Sequence, residues 1–99
     1  MNRVVYLKSA KSDRRNILNY IARSSGSIRV GQKFLKRMAS YCDHLASLPF
    51  QIGKERPNLR SDLRSSVFEN YIIYFRYNDG NFEIVNIIEG HIDMPGQFS

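Results

Sequence analysis

The stretch between Ser27 and Pro49 constrains this chain more than any other. Val30, Phe34, Met38, Tyr41 or Cys42, Leu45 and Leu48 recur there at steps of three and four residues. That spacing lines side chains up on one face of an α-helix. Ser27 is placed to cap the helix start. Pro49 stops it, because the residue before a proline is pushed out of helical geometry. Lys33, Lys36 and Arg37 fall off the stripe. A helix with one apolar face must bury it, so the rest of the chain has to supply a partner surface.

The flanking segments predict that surface. Arg3–Leu7 reads as a first strand, because Val4, Val5 and Tyr6 suit a pleated surface. Ser9 or Ser12 is expected to cap a first helix. Ile17 with Ile21, and Leu18 with Ala22, stand at helical spacing, flanked by Arg14, Arg15 and Arg23. Gly26 can take the left-handed conformation that ends this helix, and so short a turn makes the two helices antiparallel. Residues 49–62 read as an irregular basic loop broken by Pro49, Gly53 and Pro57. Loops of this length often carry function. Three strands should follow: Arg64–Phe68, Tyr71–Tyr77 and Phe82–Glu89, the last two joined by the hairpin turn Asn78-Asp79-Gly80-Asn81. Tyr71, Ile73, Phe75 and Tyr77 share one face of their strand; Ile72, Tyr74 and Arg76 share the other. The Ile73/Phe75 face is expected to meet the helices, leaving Arg76 on an open face. The expected fold class is α+β, in the order β-α-α-β-β-β, an antiparallel helical hairpin packed on an antiparallel sheet that the first strand joins.

With 99 residues, 42% hydrophobic and 24% charged, the chain is expected to form one domain, 1–99, rather than a disordered segment. Its longest strictly apolar run is Tyr71–Phe75, far short of the ~20 residues a spanning helix needs. The apolar run near Met1 is too short for a signal peptide, so no membrane partner is expected. A single thiol, Cys42, excludes an internal disulfide and fits a reducing cytoplasm; it reads as a small buried hydrophobe. Charge is unevenly spread. Residues 1–64 carry a net +10 and residues 65–99 a net −4. A basic half suits an acidic partner, nucleic acid or peptide, and equally a solvated helix face.

The absent motifs narrow the chemistry. There is no glycine-rich phosphate loop, no zinc-type Cys/His spacing and no nucleophile elbow, so neither metal nor cofactor is expected. His44 falls off the apolar stripe and His91 follows the last strand. Arg64, Arg76 and His91 could gather on a scissile phosphate, with guanidinium groups holding the charge and the imidazole moving a proton. The alternative is that Arg64 and Arg76 pair across strands with Glu69, Glu83 or Glu89.

Several segments in this order resemble the ParE branch of the ParE/RelE toxin superfamily. Asp13, Ile17 and Tyr20-Ile21 are similar to its opening helix. FLKRMASYCDHLASLP (Phe34–Pro49) resembles its second helix, and GKERPNLRSDLRSS (Gly53–Ser66) its Gly-x-x-Arg-Pro-x-Leu…Leu-Arg segment. NYIIYFRY (Asn70–Tyr77) and IVNIIEGHIDM (Ile84–Met94) resemble its last two strands. The resemblance implies the toxin of a bacterial type II toxin–antitoxin system, held silent by an acidic antitoxin and acting on DNA gyrase, its A subunit above all, as a binding inhibitor rather than an enzyme. It implies a hetero-oligomer with the antitoxin and no sequence-specific nucleic-acid binding. Antitoxin contacts are expected at Arg14, Ile17, Ile21, Lys33, Arg37, Arg60 and Arg64, and target contacts at Arg56, Arg76, His91 and Asp93. RelE-like members are ribosome-dependent ribonucleases, and that alternative would use Arg64, Arg76 and His91 as the catalytic set. Asn86 stands where both branches frequently place an arginine, and Ile92 replaces a basic residue familiar after the glycine. These two departures motivate a third reading, a member that has lost toxicity.

Overall fold

A computed structural model describes residues 2–90. The elements are β1 (Arg3–Tyr6), α1 (Lys8–Ser25), α2 (Ile28–Ser47), β2 (Lys54–Glu55), β3 (Arg64–Phe68), β4 (Tyr71–Asn78) and β5 (Asn81–Glu89). Strands run β1-β5-β4-β3-β2 across one sheet. The helical hairpin covers one face, which is the expected α+β arrangement.

The sheet is mixed rather than antiparallel. β3, β4 and β5 alternate direction because two-residue turns join them, but β1 pairs with β5 in parallel, Val4 beside Phe82 and Tyr6 beside Ile84. β1 reaches its neighbour through the whole intervening chain, so no hairpin forces its direction. The β4–β5 turn is formed by Asp79 and Gly80, both at positive φ (49° and 77°), the geometry whose twist matches the flanking strands.

Helix starts differ from expectation in a similar way. Neither Ser9 nor Ser12 caps α1. The cap position is Leu7, which has no side-chain cap; its N–H continues the ladder to the Ile84 carbonyl, and its own carbonyl accepts from Lys11. The chain turns from strand into helix without a spare residue for a polar cap. α2 is capped as expected, with Ser27 Oγ accepting from the Val30 N–H, and Gly26 takes the left-handed conformation between the helices. Val30, placed on the apolar stripe by its spacing, is 45% exposed. The buried stripe starts instead at Gly31, whose missing side chain lets α2 approach Leu18 of α1.

The main core lies between hairpin and sheet. Ala10, Ile17, Met38, Cys42 and Leu45 meet Ile73, Phe75, Phe82 and Ile84, with the Phe75 and Phe82 rings stacked at 4.4 Å. Phe34 is only partly buried, tilted against Phe68 and Tyr71 at its edge. The opposite face of the sheet is covered rather than open. Leu59 and Leu63 of the connector pack there on Ile72, Tyr74, Val85 and Ile88, which is why five successive residues of β4 are buried. The connector also contributes the short edge strand β2, unsignalled in a segment that reads as a loop.

Candidate functional surface

β-Sheet register decides where the arginines go. Arg64 stands opposite Phe75 and Ser65 opposite Tyr74. Facing residues of an antiparallel pair share a side of the sheet. Arg64 is therefore on the helix side, and Arg76, one residue beyond Phe75, is on the other. The two guanidinium groups do not share a cleft.

Each is also engaged. Arg76 Nε donates to Glu83 Oε1 at 2.6 Å, and Asp62 Oδ2 lies 3.6 Å from its Nη1. That hydrogen bond from Arg76, with another from Asn78, holds the Glu83 carboxyl below the usual glutamate range, against an opposing effect of burial. Arg64 Nη1 donates to the carbonyls of Gly53 and Ile52, with the Glu55 carboxylate 3.9 Å away. So pairing with Glu83 holds for Arg76, while Glu69 is taken by Arg37 of α2 at 2.8 Å.

The remaining residues named for partner contacts are scattered. Arg14 lies over the Tyr6 ring at 4.6 Å. Ile17 is 6% exposed and belongs to the core, and Ile21 packs partly buried beside it. Lys33 and Arg37 are exposed on α2. Arg60 reaches Asp62 at 3.4 Å in the connector. Arg56 donates through Nε to Ser65 Oγ at 2.8 Å, on the face that also carries Arg76. His91 and Asp93, with Ile92, lie outside the described residues. Arg14, Ile21, Lys33 and Arg37 thus share the hairpin, whereas Arg60 belongs to the connector and Arg64 to β3, between β2 and β4.

Two tethers between hairpin and sheet were not anticipated. Asp13 Oδ2 accepts from the Ile87 N–H at 2.8 Å and from Asn86 Nδ2 at 3.2 Å. This contact sits at a β-bulge. The register jumps between Tyr74, opposite Asn86, and Phe75, opposite Ile84, so Ile84 and Ile87 both face the helices. Tyr41 of α2 hydrogen-bonds Ser66 of β3. Beside the Asp13 tether, Tyr20, Ile17, Tyr71 and Ile87 line a small groove between α1 and the sheet, and Tyr20 is 54% exposed.

At the buried thiol, desolvation outweighs the opposing effect of the nearby Arg14. Burial foremost pushes Cys42 up to about 11, and burial with the Cys42 contact pushes the Tyr6 hydroxyl up to about 12. Among the described residues no group of His, Cys, Asp and Glu could hold a metal ion, and no helix is long and apolar enough to cross a membrane.

Comparison with known proteins agrees with this architecture. Toxin ParE3 of Caulobacter vibrioides is 24% identical over 97 residues, covering 98% of this chain and 95% of that protein. The solved structure described as the chromosomal ParDE TA system from P. aeruginosa shares the fold with a TM-score of 0.78, at 17% identity, over 92% of this chain and 98% of that one. The profile of the ParE toxin of the type II toxin–antitoxin system parDE matches residues 4–94, and the chain belongs to that family.

Proposed function

We propose that this chain is a cytoplasmic bacterial toxin that inhibits DNA gyrase by binding it, and that an acidic antitoxin segment keeps it silent. The observation that carries the choice of target is the separation of Arg64 and Arg76 onto opposite faces of the sheet. A ribonuclease of the RelE type would need both guanidinium groups and His91 around one phosphate. Here the strand register sets two of the three apart, and both spend their donors on carboxylates or backbone carbonyls. A binding inhibitor needs no such convergence. Arg56 and Arg76 share a face and are retained, with Asp93, as the principal target contacts; His91 is kept only as a peripheral contact with no proton to move, one whose loss target binding tolerates.

The antitoxin is proposed to lie along the hairpin. Its apolar residues would enter the groove at Tyr20, Tyr71 and Ile87, and its acids would meet Arg14; Lys33 and Arg37, also expected as antitoxin contacts, line a separate depression on α2 and not that groove. Exposed ion pairs are screened over ~8 Å at physiological ionic strength, so affinity should fall as salt rises.

The deciding experiment is induction without antitoxin. Gyrase-dependent DNA breaks should accumulate while translation continues at first, and His91→Ala should leave toxicity nearly intact. Cleavage of ribosome-bound message by the unaltered chain, abolished in His91→Ala, would replace this reading with the ribonuclease.

A further inference from the structure

Between Arg14 and Cys42 the chain has no acidic residue and seven basic ones. A solvated helix face ordinarily mixes signs, because Glu–Lys pairs three or four apart support the helix and like pairs oppose it. Here Lys11 and Arg15, Arg29 and Lys33, and Lys33 and Arg37 are like pairs at four-residue spacing. The hairpin accepts that repulsion along two stripes. On α1, Lys8, Lys11, Arg15 and Arg23 are exposed, opposite the buried Ala10 and Ile17. On α2, Arg29, Lys33, Lys36 and Arg37 are exposed, opposite Met38, Cys42 and Leu45.

Their surroundings leave most of this charge without an ion pair among the described residues. Among the described residues, Arg37 is the only one of these eight with an ion pair, to Glu69. Lys33, Lys36, Arg37 and Ser40 line a shallow depression of about 450 Å³ without a carboxylate. Asn19 fills an intervening position on the α1 stripe and Ser40 follows the end of the α2 stripe, both exposed, and such amide and hydroxyl groups hydrogen-bond phosphate oxygens. At a rise of 1.5 Å per residue the α1 stripe runs about 22 Å and the α2 stripe about 12 Å, lying side by side at helix-packing distance.

We infer that this outer layer of the hairpin binds the phosphate backbone of duplex DNA without sequence preference. The pattern favours phosphate over an acidic peptide. A bound peptide draws much of its affinity from apolar anchors, and the groove with Tyr20, Tyr71 and Ile87, which Asp13 and Glu89 also line, lies on the sheet-facing flank of α1, not among the stripes. Phosphate contacts position a protein on DNA and carry no base information, and each one made releases counterions. The inference is independent of the gyrase reading, since it concerns naked duplex.

The test is fluorescence anisotropy of a labelled 20-base-pair duplex with the full chain, from 50 to 300 mM salt. The expected log affinity falls with log salt at a slope of about −4 to −6. Lys33→Gln/Lys36→Gln and Arg15→Gln/Arg23→Gln should each reduce the slope by about 2, equally for duplexes of unrelated sequence, with melting temperature held or raised. Lys54→Gln/Arg60→Gln removes the same charge elsewhere and should leave the slope unchanged. No binding at 50 mM salt would overturn the inference, as would equal losses in all three variants, which would report net charge alone. Displacement of duplex by polyglutamate at equal or lower charge concentration would also overturn it and assign the layer to an acidic polypeptide.

Discussion

Asp13→Ala isolates the join between hairpin and sheet. One carboxylate oxygen accepts from the Ile87 N–H at 2.8 Å and from Asn86 Nδ2 at 3.2 Å. Hydrogen bonds to a charged group contribute about 1.5–3 kcal/mol, and orphaning a buried donor costs about 1–3 kcal/mol. Ile87 is 3% exposed and lies just past the bulge, so water does not readily replace the carboxylate there. The Asn86 bond is longer and its amide is less buried, so it should contribute about 1 kcal/mol or less. Asp13→Ala should therefore cost about 2–4 kcal/mol, and Asn86→Ala about 1 kcal/mol or less. Asp13→Asn should fall between, because an amide oxygen can still accept from Ile87 but without charge. Urea unfolding at constant m-value measures all three, and a double-mutant cycle measures the Asp13–Asn86 coupling, expected near 0.5–1 kcal/mol. In a domain of this size the Asp13→Ala loss should lower the melting temperature by roughly 10 °C or more. A cost below about 1 kcal/mol, or an Asn86→Ala cost equal to that of Asp13→Ala, would refute the reasoning.

Three further outcomes are expected. Gly31→Ala should destabilise by about 1 kcal/mol by urea unfolding although alanine is the better helix former: its Cβ would lie 2.8 Å from Leu18 Cδ1 and 3.0 Å from the Leu18 carbonyl oxygen, and a stabilised variant would contradict this packing. Cys42, pushed up to about 11, should react with iodoacetamide in the native state at pH 8 at least about a hundredfold more slowly than a free thiol, with the unfolded chain as reference. Because Arg76 holds the Glu83 carboxyl below the usual range, that stability is present above the ordinary glutamate pKa of about 4.3 and is lost as pH falls through the depressed folded value. Acid unfolding of Glu83→Gln should accordingly show a shallower loss below about pH 4.3 than the unaltered chain.

What could be read from the sequence was local. The three- and four-residue spacing in α2, the Ser27 cap and the Asp79-Gly80 turn are set by neighbouring residues, and each stands where its spacing places it except at Val30, which is exposed at the start of the stripe. What escaped was nonlocal. The parallel docking of β1 depends on an edge of β5 that no nearby residue signals. The bulge is silent in the sequence because Ile84, Val85, Ile87 and Ile88 are all apolar; with both faces covered, alternation disappears and with it any mark of phase. Leu59 and Leu63 lie among prolines and charges, so their packing on Ile72 and Tyr74 was hidden in a segment that reads as loop. The candidate site inherited these gaps. Arg14, Lys33 and Arg37 were recognisable as hairpin cations, but the faces of Arg64 and Arg76 depend on register, where one residue of slip reverses the answer.

That dependence bears on how substitutions in this chain should be interpreted. The sheet arginines chosen for phosphate chemistry hold down the connector between α2 and β3. Arg64 donates to the carbonyls of Ile52 and Gly53, Arg56 to Ser65, and Arg76 faces Asp62. The connector has only the two residues of β2 in regular structure, yet its Leu59 and Leu63 cover Ile72 and Tyr74. Releasing it would bare an apolar sheet face beside an edge with unpaired backbone groups, a combination that invites association. Arg64→Ala should thus reduce toxicity without that side chain touching a target, whereas Arg76→Ala removes a proposed target contact and a tether to Asp62 together. The hairpin cations differ in kind: Lys33, Lys36 and Arg15 hold no neighbour in place through an ion pair among the described residues. Loss of duplex or antitoxin affinity with toxicity and melting temperature unchanged therefore implicates a hairpin cation in partner binding. Loss of toxicity with a lowered melting temperature assigns an arginine to holding the connector, and the two groups should separate on those measurements.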